Sequence, residues 1–154
     1  MDEFLEIRLS QKSAPTYVYI YDHKGYGSLT EAVGGGDFFY GVCHADELQL
    51  LYPIGSVLYP TGVPSERDIL MRDSFIDMWV NFATYGNPTP SGSKLPKWNE
   101  TKGYPWNYAT IGSTDNDKWF ILKNEENYVR DRFNFWKSLK PHLHNKETIN
   151  RDEL

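Results

Sequence analysis

The chain has 154 residues, 40% hydrophobic and 24% charged, which suits one folded domain with a buried core. An aromatic share of 16% argues against intrinsic disorder, and a net charge of −5 without a dense basic stripe argues against a nucleic-acid partner. No stretch approaches the roughly 20 apolar residues that span a bilayer, and the opening MDEFLEIRLSQK has neither the basic nor the apolar region of a signal peptide.

Within residues 1–14, Phe4, Leu5, Ile7 and Leu9 fit the apolar stripe of a short helix ending near Ser13, ahead of Pro15. The run TYVYIY at 16–21 is β-branched and aromatic throughout, as expected of a strand covered on both faces. Residues 22–37 are rich in glycine and polar side chains, with three glycines in a row at 34–36, and predict a long surface loop. That triple glycine lacks both the Lys-Ser/Thr of a phosphate-binding loop and the spacing of a dinucleotide fingerprint. LQLLYP at 48–53 predicts a short helix with Asp46 placed to cap its first turn.

Residues 66–85 carry apolar side chains at helical spacing, from Ile69 to Ala83, and both ends are marked. Ser65 and Asp68 form a capping-box pattern, and Gly86 with Pro88 forbids continuation. Residues 89–107 hold Pro90, Pro96 and Pro105 with Trp98 and Trp106, which predicts an ordered loop anchored by buried rings. Two short strands are expected at 108–111 and 118–122 about the turn GSTDND, then a helix over 128–139 with Val129, Phe133, Trp136 and Leu139 inward. Residues 141–154 are polar and follow a helix-breaking proline, so they read as a tail.

His44 ends the glycine-rich segment and precedes a helix start, a position that suits a loop acid/base as well as a histidine that only packs or caps. Local spacing leaves both open. Cys43, the single cysteine, can form no internal disulfide, and as the sequence neighbour of His44 it makes a poor nucleophile partner for it. His142 and His144 in the tail lack a third metal ligand nearby.

GVCHADEL at 41–48, preceded by PTYVYIYDH at 15–23, resembles the catalytic-histidine region of type-B carboxylesterases and cholinesterases. The resemblance continues in WVNFATYGNPTP at 79–90, the Trp-Pro region and hairpin at 96–122 and FWKSL at 135–139, so it covers about residues 13–140. Among subgroups the chain is similar to arthropod esterases of the venom carboxylesterase and juvenile-hormone esterase kind.

The resemblance implies an α/β fold, the C-terminal part of an α/β-hydrolase. It would comprise the last central-sheet strand, the histidine loop, a covering helix, an edge hairpin and a terminal helix. Residues 1–140 would form a partial hydrolase domain and 141–154 a tail. His44 would be the triad histidine, deprotonating serine in acylation and activating water in deacylation. Glu47 resembles the family's buried carboxylate near that loop and, like Asp46, would act structurally.

Triad order in this fold is serine, acid, histidine. Neither a Gly-x-Ser-x-Gly nor an HGGG-type segment occurs here, so the nucleophile and the oxyanion donors would lie outside the chain. The chain alone is expected to be inactive, and prone to aggregation through its unpaired strand. The whole enzyme would take a small-molecule carboxylic ester without metal or organic cofactor. Its substrate, whether a juvenile hormone, lipid or xenobiotic ester, stays open.

The ending Arg151-Asp152-Glu153-Leu154 resembles an endoplasmic-reticulum retrieval signal, which would engage a retrieval receptor, and Asn99-Glu100-Thr101 is a glycosylation acceptor. Both imply the endoplasmic-reticulum lumen or secretory pathway, whereas the opening residues carry no signal peptide, a mismatch expected of a truncated product. The alternatives are a non-catalytic cholinesterase-like binding or adhesion protein, or a truncated gene product without independent function.

Overall fold

A computed structural model of the chain describes residues 2–11, 14–35, 38–58, 62–128 and 130–139. Helix α1 (Asp2–Ser10) comes first. Its apolar packing among the described residues runs along one ridge: Leu5 is buried and Leu9, four residues on, packs beside it, while Phe4 and Ile7 stay exposed. The expected end near Ser13 lies outside the described residues.

Strand β1 (Tyr19–Tyr21) is shorter than the apolar run that predicts it, and its three residues are half-buried rather than covered on both faces. Tyr17, Tyr19 and Tyr21 pack on the main core, whereas Val18 joins Leu5 and Trp106 in a second cluster, the alternation a pleated strand imposes. The loop after it does not simply run over the surface. His23, Gly27 and Ser28 are buried, and Glu31–Gly35 winds into a wide helical turn broken at Val33 and Gly34.

Helix α2 (Leu48–Leu51) buries Leu50 alone, and Asp46 does not cap it: the N-cap is Glu47, without a side-chain bond. A further single turn, α3 (Gly55–Leu58), was not anticipated, because four residues are too few to show a helical period. Helix α4 (Glu66–Tyr85) has the expected bounds. Ser65 Oγ accepts from the Asp68 N–H at 3.2 Å, Asp68 Oδ2 accepts from the Ser65 N–H at 2.7 Å, and Gly86 closes the helix in the left-handed region. Met71, Phe75 and Met78 are fully buried, but Ile69, Leu70, Val80 and Phe82 on the rest of the apolar surface are exposed in this chain.

Strand β2 (Tyr108–Ile111) lies between β1 and β3 (Leu122–Glu125). It runs parallel to β1, pairing Tyr19 with Ala109 and Tyr21 with Ile111, and antiparallel to β3, pairing Ile111 with Leu122. The last strand starts four residues later than the sequence suggests. Asp115 caps a 3₁₀ turn at Asn116–Lys118, accepting from the Asp117 N–H at 3.0 Å, and this extra turn delays the ladder.

α4 covers one face of the sheet. Phe75 stacks on Trp79 with ring centroids 4.0 Å apart, and Tyr19 meets both rings edge-on. The segment between α4 and β2 wraps the domain as expected. Trp98 and Trp106 are buried, the Trp98 N–H donates to Thr89 Oγ1 at 2.9 Å, and the Thr101 N–H donates to the Thr16 carbonyl at 2.8 Å.

Helix α5 (Arg130–Ser138) corrects the expected inward face. Trp136 and Leu139 are exposed and Phe133 is half-buried, because nothing among the described residues covers them; Val129 lies outside the described residues. So does the tail, with Arg151, Asp152, Glu153 and Leu154.

Truncating Phe75 removes the ring on which α4 meets the sheet, so Phe75→Ala in the full-length protein is expected to cost about 3–5 kcal/mol. Urea denaturation measures it, and an unchanged midpoint would place the core elsewhere.

Candidate functional site: the histidine loop

His44 stands at the first position of the turn 44–47 that leads into α2, with its side chain exposed. The turn is closed by the Asp46 N–H donating to the Cys43 carbonyl at 3.2 Å and the Leu48 N–H donating to the Ala45 carbonyl at 3.1 Å. Ala45 sits at φ +70°, a left-handed conformation that a residue bearing a Cβ adopts at a cost of order 1–3 kcal/mol.

Asp46, 5% exposed, is the fully buried carboxylate of the loop. Its Oδ2 accepts from the Cys43 N–H and from Ser28 Oγ, and its Oδ1 accepts from the Leu29 N–H, each at 2.8 Å. Glu47 is half-buried. The charges of Asp46, Asp68 and Glu47 reinforce burial in pushing the Tyr21 phenol far up from its ordinary range. His44, Asp46 and Glu47 thus share one turn. Asn99 lies on a separate stretch, exposed, with Thr101 buried and its hydroxyl donating to the Asn107 carbonyl at 2.7 Å.

A second histidine carries a buried network that the sequence gives no sign of. His23, two residues past β1, hydrogen-bonds through Nε2 to Asp68 Oδ1 at 2.8 Å, and its Nδ1 accepts from Trp119 Nε1 at 3.2 Å. Since an indole N–H can only donate, the imidazole holds its proton on Nε2 and donates it to the carboxylate. Gly112 makes this close approach possible: a Cβ there would collide with Cα and Cβ of His23.

Burial pushes the Asp68 carboxyl up, but the bonds from His23 and Ser65 outweigh it and leave it below the usual carboxylate range. The partners of His23 lie 45 and 96 residues away in sequence, so no local motif joins them. Asp68 is legible only as a helix cap.

A cavity of about 380 Å³ is lined by Tyr21, Tyr26, Gln49, Asp68 and Ile76 among others, and His44 is not part of its lining. Among the described residues, no three His, Cys, Asp or Glu side chains cluster closely enough to hold a metal ion, and no helix is long and apolar enough to cross a membrane.

The family model described as "Carboxylesterase family" matches residues 3–136. The chain belongs to the carboxylesterase family, which implies the α/β-hydrolase fold, and the three-stranded mixed sheet with its covering helix is consistent with a part of that fold.

It is 27% identical over 144 residues to the juvenile hormone esterase of Tribolium castaneum, covering 86% of this chain and 24% of that protein. It is 27% identical to venom carboxylesterase-6 of Apis mellifera, covering 88% of this chain and 22% of that one. Human neuroligin-2 is likewise 27% identical, covering 88% of this chain and 16% of the relative. The chain therefore spans less than a quarter of the length of these relatives.

Because the folded Asp68 titrates below its ordinary value of 3.8, its contribution to stability is full above that value and is lost as pH falls through the folded pKa. Asp68→Asn cannot accept from the Ser65 N–H through its amide nitrogen. Thermal melts should show it much less stable than wild type at pH 6, with the gap narrowing toward pH 3. A gap independent of pH would contradict the assignment.

Proposed function

We propose that this chain is the C-terminal part of a serine carboxylesterase and supplies its general base, His44. The observation that carries this reading is the placement of His44: an exposed imidazole held on a turn pinned by hydrogen bonds to the buried Asp46 carboxylate, in a chain of the carboxylesterase family. In acylation His44 takes the proton of the attacking serine and returns it to the departing alcohol. In deacylation it takes a proton from water, and the serine leaves with that proton. Asp46 and Glu47 act structurally beside it.

The nucleophile, the triad acid and the oxyanion donors come from the rest of the protein, since no Gly-x-Ser-x-Gly occurs in these 154 residues. The substrate is a small-molecule carboxylic ester. By itself the chain is inactive, because a triad works as a unit.

In the full-length protein, His44→Gln should lower kcat/KM for a p-nitrophenyl ester by about 10⁴-fold or more while leaving thermal stability near wild type. Full activity in a folded variant would reject the role.

A second reading, a non-catalytic binding protein on the same fold, draws on the match to neuroligin-2, whose name denotes no hydrolase. Absence of ester turnover by the wild-type full-length protein would favour it.

The exposed Asn99 of the Asn-Glu-Thr acceptor supports passage through the secretory pathway. Expressed full-length in eukaryotic cells, the protein should lose one glycan on Asn99→Gln, seen as a mobility shift that glycosidase treatment abolishes. Identical mobility of the two untreated proteins would contradict this placement.

A further inference from the structure

We propose that Asp46 is the positioning residue of His44: its carboxylate is a latch that keeps the histidine turn in its strained shape and ties it to residues 28–30. The inference rests on the general-base reading of His44.

Three donors converge on this one carboxylate, two of them on the same oxygen. The Cys43 N–H reaches Oδ2 across the turn, so the side chain of Asp46 and its own N–H, bonded to the Cys43 carbonyl, hold both backbone polar groups of the residue preceding His44. Ser28 Oγ, itself 2.9 Å from Thr30 Oγ1, and the Leu29 N–H bind the same carboxylate from a segment seventeen or eighteen residues earlier. Ser28 and Asp46 are both buried. Water therefore has little access to replace the Ser28 bond, whose loss would leave a buried hydroxyl unsatisfied, while the bonds from Leu29 and Cys43 are partly buried.

Ala45 carries the strain that the latch holds. A residue with a Cβ persists at φ +70° only when its surroundings over-determine it, and the bonds that do so here run through Asp46 on its C-terminal side and Cys43 two residues before. If the latch opens, Ala45 is free to relax to negative φ, and that rotation swings the backbone carrying His44. The same constraint explains why an alanine can occupy a position where glycine or asparagine would be the easier choice.

An isosteric amide discriminates a latch from simple bulk. In Asp46→Asn, Oδ1 can still accept from Leu29, but the amide nitrogen faces the Cys43 N–H, donor against donor. The decisive experiment compares wild type, Asp46→Asn, and Asp46→Asn combined with Ala45→Gly in the full-length protein. Two readouts serve: steady-state hydrolysis of a p-nitrophenyl ester, and the rate of Cys43 alkylation by iodoacetamide, followed by peptide mass.

The latch predicts that Asp46→Asn lowers kcat at least tenfold with KM within twofold, and raises the Cys43 alkylation rate at least tenfold, since that thiol sits in the same turn. It predicts that Ala45→Gly, which removes the strain the carboxylate opposes, restores part of kcat. Wild-type kcat and alkylation in Asp46→Asn, or loss of kcat that Ala45→Gly does nothing to recover, would overturn it. Should His44→Gln retain full activity, the general-base reading falls. A changed alkylation rate in Asp46→Asn would then still establish the latch as a property of the turn.

Discussion

The packing of one helix on one sheet face is the constraint from which the rest of the structure follows. Met71, Phe75 and Met78 project from α4 at spacings of four and three residues, and they fill the space above Tyr19, Tyr21, Ala109 and Ile111. β1 and β2 are parallel and need a long connection, and that connection contains both α4 and the histidine loop. Once α4 is seated, its first turn carries Asp68 to His23 just beyond β1, and Trp119 arrives from the β2–β3 connection. The sheet, the helix start and the hairpin are thereby locked together close to where the loop departs.

From that anchor the loop is tied a second time through Ser28, Leu29 and Asp46. His23 and His44, the two histidines among the described residues, sit in opposite settings. His23 is buried with both ring nitrogens engaged, a structural tie, whereas His44 is exposed on a turn whose backbone is fixed. An acid/base group needs a rigid mount and an open ring, and of these two His44 has both. The apolar side chains left exposed on α4 and α5, Leu70, Val80, Phe82 and Trp136 among them, fit a chain that spans less than a quarter of its relatives, since covering layers would come from the remainder.

Much of this fold is legible in the sequence where the signal is local. The capping box at Ser65 and Asp68, the Gly86 stop and the apolar spacing between them fix α4 to the residue, because each element of that pattern acts within one or two turns. The hairpin is legible but its register is not: Asp115 winds a 3₁₀ turn that no apolar period reveals. Periodicity over-read α5 and the outer face of α4, since an apolar stripe states only that a surface wants covering. The role proposed for His44 draws on the sequence blocks surrounding it. Asp46 drew attention as a helix cap, yet its partners lie behind it in the loop, and the His23–Asp68–Trp119 network joins residues too far apart for any spacing rule.

The central claim is that His44 activates a serine supplied by the rest of the protein. A fluorophosphonate that labels only activated serines tests this most directly, applied to the full-length protein and to folded His44→Gln, with the modified peptide identified by mass. The account predicts one labelled serine in the wild type, within a Gly-x-Ser-x-Gly segment outside these 154 residues, and labelling slowed by orders of magnitude in the variant. Equal labelling of the two proteins would contradict it.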